Sequence, residues 1–341
     1  MAPDTPGFIA PFDLLTTADP ALKARIARLP GSKLWSTWLR IRTAFVGTTV
    51  SEYLLGPVPG TTAPADWVAA VLKGPASRHR LLIVKDIPDD SPLLDEATRK
   101  HAAALTDACR QAGMVMVEGQ ALAYVPIDFD SADGYLAKLS SSRRKNLRRK
   151  LRSRDDLQVD RVRTGHTQFD DPATIDLYYA RYLEVYAQSD IHFDQLSRAF
   201  FEAILRDGEN GGVVFEYRHD NVLIGFNLCF EYGGNLIDKY VGFAYPQARD
   251  HNLYFVSWMI NLEYALARGC RFYVAGWTDP EVKASLGAQF TFTRHAVLPR
   301  NRLLRALAKR FASHFESDRA WRDARDAAEK KPALGATQES A

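Results

Sequence analysis

Apolar positions along the chain fall into short runs and periodic stretches that alternate between strand and helix patterns. Lys33 to Thr49 carries Leu34, Trp38, Ile41 and Phe45 near helical spacing, which predicts a short amphipathic helix. Residues 1–30 are Pro-rich and weakly patterned and are expected to drape over the surface, and Gly56–Ala65 reads as loop. The continuous apolar middle of His79–Pro88 predicts a buried strand. Asp95–Gln111 predicts a helix that stops at Gly113, and Met114–Val117 and Ala121–Ile127 predict two further strands. A linking helix is expected from Ser131 to Arg154, where Tyr135, Leu136, Leu139, Leu147 and Leu151 keep a helical period. Pro172–Ser189 and Gln195–Arg206 follow as helices.

Beyond Gly208 the pattern changes. Gly212–Arg218, Leu223–Tyr232 and Asn235–Phe243 read as an antiparallel meander with turns at His219-Asp220-Asn221 and Gly233-Gly234. A helix from Asn252 to Ala267, closed by Gly269, leads to a strand at Arg271–Ala275. The end of the meander at Phe243 and the strand beginning at Arg271 are expected to diverge and open a slot for a reacting pair. Asn301–Phe315 reads as an amphipathic helix, with Leu303, Leu304, Leu307, Phe311 and Phe315 opposite Arg302, Arg305, Lys309 and Arg310. Docking onto the protein and peripheral contact with an anionic membrane surface both stay open for it.

Composition narrows the class. At 341 residues, 46% hydrophobic and 25% charged, the chain has the makeup of a soluble protein of two lobes. Cys109, Cys229 and Cys270 lie far apart with no CxxC pair, which predicts buried small apolar residues rather than disulfides or a zinc site. The first residues lack a basic stretch followed by an apolar core, and no run of about 18 apolar residues occurs, so a cytoplasmic location is expected. No cluster has metal-ligand spacing, so no metal is expected, and no Gly-x-Ser-x-Gly elbow is present. The net charge of +3 is small, yet eight of the twelve residues from Arg143 to Arg154 are basic. Such a run is either a platform for phosphates or a solvated helix face.

Three segments, in order, carry a resemblance. Ala123–Arg154 runs from a strand into a helix with a Ser/basic/Asn/Leu/basic pattern. Gly225–Tyr254 is a meander followed by a strand-to-helix loop. Ala265–Gly287 ends in a strand, then Gly276, a short loop, Lys283 and Gly287. Over roughly residues 80–300 the chain resembles the BioF-like acyltransferases of the GNAT superfamily and the related Fem-type aminoacyl transferases. The resemblance implies a mixed α/β (α+β) fold of tandem GNAT-like lobes, each a mostly antiparallel central sheet flanked by helices. The implied divisions are a degenerate lobe with the basic linking helix at 1–160, a catalytic lobe at 161–300, and a helix and polar tail at 301–341.

The resemblance also implies transfer of an acyl or aminoacyl group to a small-molecule or peptidyl amine, from a thioester such as acyl-CoA or from an aminoacyl-tRNA. A non-catalytic binding module on the same fold is a third reading. GNAT enzymes hold the coenzyme A pyrophosphate on backbone N–H groups of a Gly-containing loop at a helix N-terminus. The corresponding Tyr245–Asn252 has no glycine, although Arg249 could pair with a phosphate.

Candidate residues follow from these patterns. Asp238 and Tyr240, two apart on the third meander strand, are expected on one sheet face, as a base for the amine proton and as an acid or orienting group. Lys283 is implied by the resemblance as the cation near the transfer centre. Arg143, Arg144 and Arg148 are the candidate phosphate contacts beside Arg249, and Tyr245, His251, Tyr254 and Trp277 the candidate substrate contacts. With no cysteine or serine set up as a covalent relay, direct attack in a ternary complex is expected. The oligomeric state is left open.

Overall fold

The computed structural model describes residues 5–13, 40–74, 78–189 and 195–301, together with 25, 28, 305 and 306. In chain order its strands and helices begin with β1 (Gly7–Asp13), β2 (Arg40–Val46), α1 (Pro64–Lys73), β3 (Leu81–Asp89), α2 (Glu96–Gln111) and β4 (Val115–Pro126). Next come α3 (Ala132–Lys138), α4 (Ser141–Leu151), β5 (Gln158–Arg163), α5 (Pro172–Gln188) and α6 (Arg198–Arg206). The meander β6 (Gly212–His219), β7 (Val222–Tyr232) and β8 (Asn235–Phe243) leads to α7 (Gln247–Asp250) and α8 (Leu253–Ala267). The last described elements are β9 (Phe272–Gly276), α9 (Pro280–Ser285) and β10 (Gln289–Pro299).

The chain forms two compact units, one of residues 1–121 and 291–341 and one of residues 122–290. The expected division at 160 differs from this. Residues 122–160 belong to the second unit, because α3 and α4 pack there through Tyr135 and Leu147. In the first unit β1 pairs antiparallel with β2, from Gly7↔Val46 to Asp13↔Arg40, and β2 pairs parallel with β3. The buried side chains of Val46, Trp67, Val71, Leu82, Ile87, Leu105 and Cys109 form its core.

Two expectations are corrected here. Residues 7–13 are a paired strand and not a surface drape, and residues 40–46 are a strand and not part of a helix. Ile41, Thr43 and Phe45 also alternate with period two, and β-branched and aromatic residues that find a partner strand favour the sheet. Residues 33–39 of that stretch, and the amphipathic helix at 301–315 apart from residues 301, 305 and 306, lie outside the described residues.

The two strands expected either side of Gly119 are one, β4. Gly119 marks a close approach and not a turn, since a Cβ there would lie 2.1 Å from Thr293 Oγ1. The expected linking helix is broken. Ser131 caps α3 by accepting from the Gly134 N–H, and Ser140 caps α4 by accepting from the Arg143 N–H. Strands β5 and β10 and helices α1 and α9 are additions to the sequence reading; β5 (QVDRVR) carries only two apolar residues, too few to show alternation.

In the second unit β5 to β8 are antiparallel neighbours, and β4 pairs antiparallel with β9. Strand β9 pairs parallel with β8 over three positions only: Asn235↔Phe272, Leu236↔Tyr273 and Ile237↔Val274. One face of the meander packs on α5 and α6 through Phe169, Ile175, Tyr178, Phe201, Phe226 and Leu228. The other lies under α8, where Tyr264 meets Phe215 edge-on at 5.1 Å and Trp258 meets Tyr273 at 5.2 Å. Helix α8 buries residues around most of its circumference, as a helix with so few charges must.

Candidate active site

The site begins with a register fault. Leu228 pairs with Tyr240 and Cys229 with Asp238, so Lys239 is an extra residue that bulges from β8. An inserted residue cancels the two-residue alternation. Asp238 and Tyr240 therefore face opposite sides of the sheet, contrary to expectation. Asp238 points under α8. Tyr240 packs against Phe200 and Phe201, with ring centroids 5.9 and 5.8 Å away, on the α5–α6 side. The β8–β9 ladder also ends at this point, with no pair beyond Ile237 and Val274, so the divergence expected from the sequence starts at Asp238.

The Asp238 carboxylate is densely hydrogen-bonded. Asn227 Nδ2 donates to both oxygens at 3.0 Å, Tyr273 OH donates to Oδ2 at 2.8 Å, and Asn261 Nδ2 donates to Oδ2 at 3.1 Å. The Cys229 thiol approaches Oδ1 at 3.6 Å. Burial raises the Asp238 pKa above the usual carboxylate value, although the Asn227 and Tyr273 hydrogen bonds and the Lys283 charge oppose it. Both oxygens are already engaged. Asp238 thus sits as a fixed charge among donors, which leaves little room for the base role its sequence position suggested.

Strand β9 ends at Gly276, whose φ of +80° turns the chain towards Trp277 and Asp279. Asp279, at φ +53°, leads into α9, which carries Lys283 back to the end of the ladder. A Cβ on Gly276 would lie 3.8 Å from the Asp238 carbonyl oxygen and 3.9 Å from Lys283 Nζ, so three elements converge on that glycine. Lys283 is only 5% exposed. Among the described residues its ammonium has no hydrogen bond, and no carboxylate lies within the 4.0 Å of an ion pair. Burial lowers its pKa to about 8, with Asp238 and Asp279 pulling the other way.

Aromatic residues line the same region. Among the described residues the enclosed Tyr254 OH has no hydrogen-bond partner, and burial, with Asp279 and Asp238 nearby, raises its pKa, so it is a neutral donor. Tyr245 also feels the Asp279 charge, and the Arg249 guanidinium lies 5.0 Å from its ring centroid. The bulged Lys239 places its ammonium 5.8 Å from the Trp277 ring centroid. His251 is drawn elsewhere, with its ring 4.2 Å from that of His219 at the β6–β7 turn. Asn227 and Asn261, unmarked in the sequence, each leave an amide oxygen enclosed and without a partner among the described residues. A lone Asn within the apolar runs of β7 and α8 is the signal that could have found them.

The glycine-free segment before α8 folds into α7 and spends its own N–H groups. The N–H groups of Ala248, Arg249, Asp250, His251 and Asn252 donate to backbone carbonyls at 2.8 to 3.2 Å, and the Tyr245 N–H donates to Glu184 Oε2 at 3.0 Å. Those N–H groups cannot also cradle a pyrophosphate.

Of the expected phosphate contacts, Arg249 donates to Gln188, Arg148 donates to Asp133 at 2.9 Å and Arg144 donates to the Ala137 carbonyl at 3.5 Å, while Arg143 is exposed. Further along, Lys150 lies 3.3 Å over the Phe255 ring and Arg154 forms a bidentate pair with Glu263 at 2.8 and 2.9 Å. Part of the basic run therefore anchors α4 to α8. All three cysteines are free and buried. Among the described residues no group of three or more His, Cys, Asp or Glu side chains is placed to hold a metal ion, and no helix is long and apolar enough to cross a membrane.

Residues 141–284 match the profile of the acetyltransferase (GNAT) domain. No curated protein matches the chain. Among solved structures, the chain is similar to the C-terminal domain of a protein described as a lysylphosphatidylglycerol synthetase from Agrobacterium fabrum. That similarity is at 16% identity, a TM-score of 0.50, and coverage of 80% of this chain and 81% of the other. It is similar also to FemX, at 11% identity and a TM-score of 0.50, over 79% of this chain and 83% of that one. At such identities the likeness is one of fold. The bulged meander and the interrupted β8–β9 ladder both lie within residues 141–284, the stretch of this chain that matches the acetyltransferase (GNAT) domain.

Proposed function

We propose that the protein is an acyltransferase that moves an activated acyl group to an amine by direct attack where β8 and β9 part, with Lys283 as the cation that meets the carbonyl oxygen as it becomes anionic. The observation that carries this reading is the state of Lys283. A buried ammonium normally has a committed partner, whereas this one faces the end of the ladder with none among the described residues. Asp238, held by Asn227, Asn261 and Tyr273, supplies a fixed negative field that keeps Lys283 more protonated than burial alone would. The Tyr254 OH is a second donor available to the reacting oxygen or the leaving group.

The matched family points first to an acyl thioester, most simply acyl-CoA, as donor. A second reading, an aminoacyl-tRNA donor, draws on the spent N–H groups of residues 245–252 and on the exposed basic residues of α4, among them Arg143 and Lys145. Thermal stabilisation by coenzyme A, with transfer from acetyl-CoA to a panel of amines, supports the first. Transfer abolished by ribonuclease, with no stabilisation by coenzyme A, supports the second. No transfer from either class of donor overturns the proposal.

A further inference from the structure

Lys283 combines features that surface lysines do not share. Its stem is buried, its ammonium has no partner among the described residues, and its Nζ lies 3.9 Å from where a Cβ on Gly276 would stand, at the end of the β8–β9 ladder. A lysine that only braced the fold would close an ion pair with Asp238. Here the Asn227, Asn261 and Tyr273 side chains occupy that carboxylate instead. An amine left without a partner where an activated carbonyl is presented is a nucleophile in waiting.

We infer that Lys283 is itself an acyl acceptor: when an activated acyl group enters the site without an amine acceptor, the protein acylates its own Lys283 and so switches the site off. The inference rests on the proposed reading that acyl donors enter beside Lys283. In the step, neutral Nζ attacks the carbonyl carbon and a C–N bond forms. The C–S bond of a thioester, or the C–O bond of an ester, breaks, and its electron pair leaves with sulfur or oxygen. The proton lost from Nζ ends on that leaving group or in solvent. The product is an uncharged amide, which can no longer stabilise an oxyanion.

The charged groups facing Lys283 are Asp238 on β8 and Asp279 ahead of α9, and both favour the ammonium form. Tyr254 on α8 and Tyr273 on β9 stay neutral, their pKa values raised by burial. Burial outweighs the two carboxylates and brings Lys283 to about 8. About one Lys283 in ten is then neutral at pH 7, roughly 300 times the fraction of an ordinary lysine. Lower basicity weakens the amine as a nucleophile and takes back part of that gain.

The test uses the full chain and p-nitrophenyl acetate at pH 7, followed by peptide mass spectrometry over time. Lys283 should acquire acetyl at least about tenfold faster than the exposed Lys145. Its rate should level off near pH 8 while that of Lys145 is still climbing, and Lys283→Arg should remove the fast phase. The pH profile needs only the unmodified protein, so a misfolded variant does not blunt the test. Acetylation spread over surface lysines with Lys283 modified last overturns the inference. A parallel arm with acetyl-CoA separates the two claims. Labelling by the ester but not by the thioester keeps the self-acylation and counts against the thioester donor. Failure with the ester ends the self-acylation, and the coenzyme A and ribonuclease experiments still decide the donor.

Discussion

Glu216 and Asp238 are carboxylates on opposite faces of the same meander, and the contrast between them separates bracing from chemistry. Glu216, 3% exposed, accepts from Gln168 at 2.7 Å, from Arg218 at 2.8 Å and from the Tyr178 OH. Burial pushes its pKa up, but those hydrogen bonds and the Arg218 charge win and hold it below the usual value. Asp238 has a comparable set of neutral donors, yet its pKa rises, because burial outweighs those hydrogen bonds and the Lys283 charge. On one face the ion pair is closed and the charge is spent on stability. On the other the pair is open, and burial raises the Asp238 pKa and lowers that of Lys283.

Removing the open cation should break the contrast most sharply. Lys283→Met should lower kcat by roughly 100- to 1,000-fold, the usual cost of losing one oxyanion donor, while the circular dichroism spectrum stays that of the unmodified protein. Because the ammonium form is the working one, kcat of the unmodified protein should fall as pH rises through about 8, the value to which burial brings Lys283. A variant within threefold of the original, or a kcat that climbs through that pH, would remove Lys283 from the role assigned to it.

Opening the closed pair should move stability and leave chemistry alone. Glu216→Ala strands Arg218, Gln168 and the Tyr178 OH, and should cost about 3 kcal/mol of unfolding free energy, read by urea denaturation at pH 7. The folded-state pKa of Glu216 is lowered from 4.5, so its contribution is present above that pH and is lost as pH falls through the folded value. The gap between variant and original should therefore narrow in acid. Loss of kcat per folded molecule would show that Glu216 does more than brace.

The legibility of the two faces in the sequence was unequal. The meander, α2 and α8 could be read because long apolar stretches end at caps and glycines: β8 has the bounds expected for it, and α8 begins one residue later than expected. Lys283 is singled out by the resemblance alone, since a lysine in a short loop carries no periodic signal. The burial of its stem and its lack of a partner emerge only when α9 folds back on Gly276. Asn227 and Asn261, 34 residues apart, meet on one carboxylate through tertiary contact alone. The strands β1 and β2 were missed because short runs declare themselves only by pairing.

The bulge at Lys239 gives the smallest expected effect and the most direct check of the geometry. Two-residue spacing in an unbroken strand would put Tyr240 beside Asp238, and Tyr240→Phe would then remove a hydroxyl from the reacting centre. With Lys239 inserted, Tyr240 stands among Phe200 and Phe201 on the far face, and its ring, which phenylalanine preserves, makes those contacts. Tyr240→Phe should therefore leave kcat within about twofold and shift stability by no more than about 1 kcal/mol, the net worth of one hydrogen bond. Deleting Lys239 should do what the phenylalanine cannot. Restored alternation would force Asp238 or Tyr240 to change faces, and the deletion should abolish transfer. A Tyr240→Phe variant slowed tenfold or more at unchanged stability would place the hydroxyl on the reacting side of the sheet and undo the assignment of the two faces.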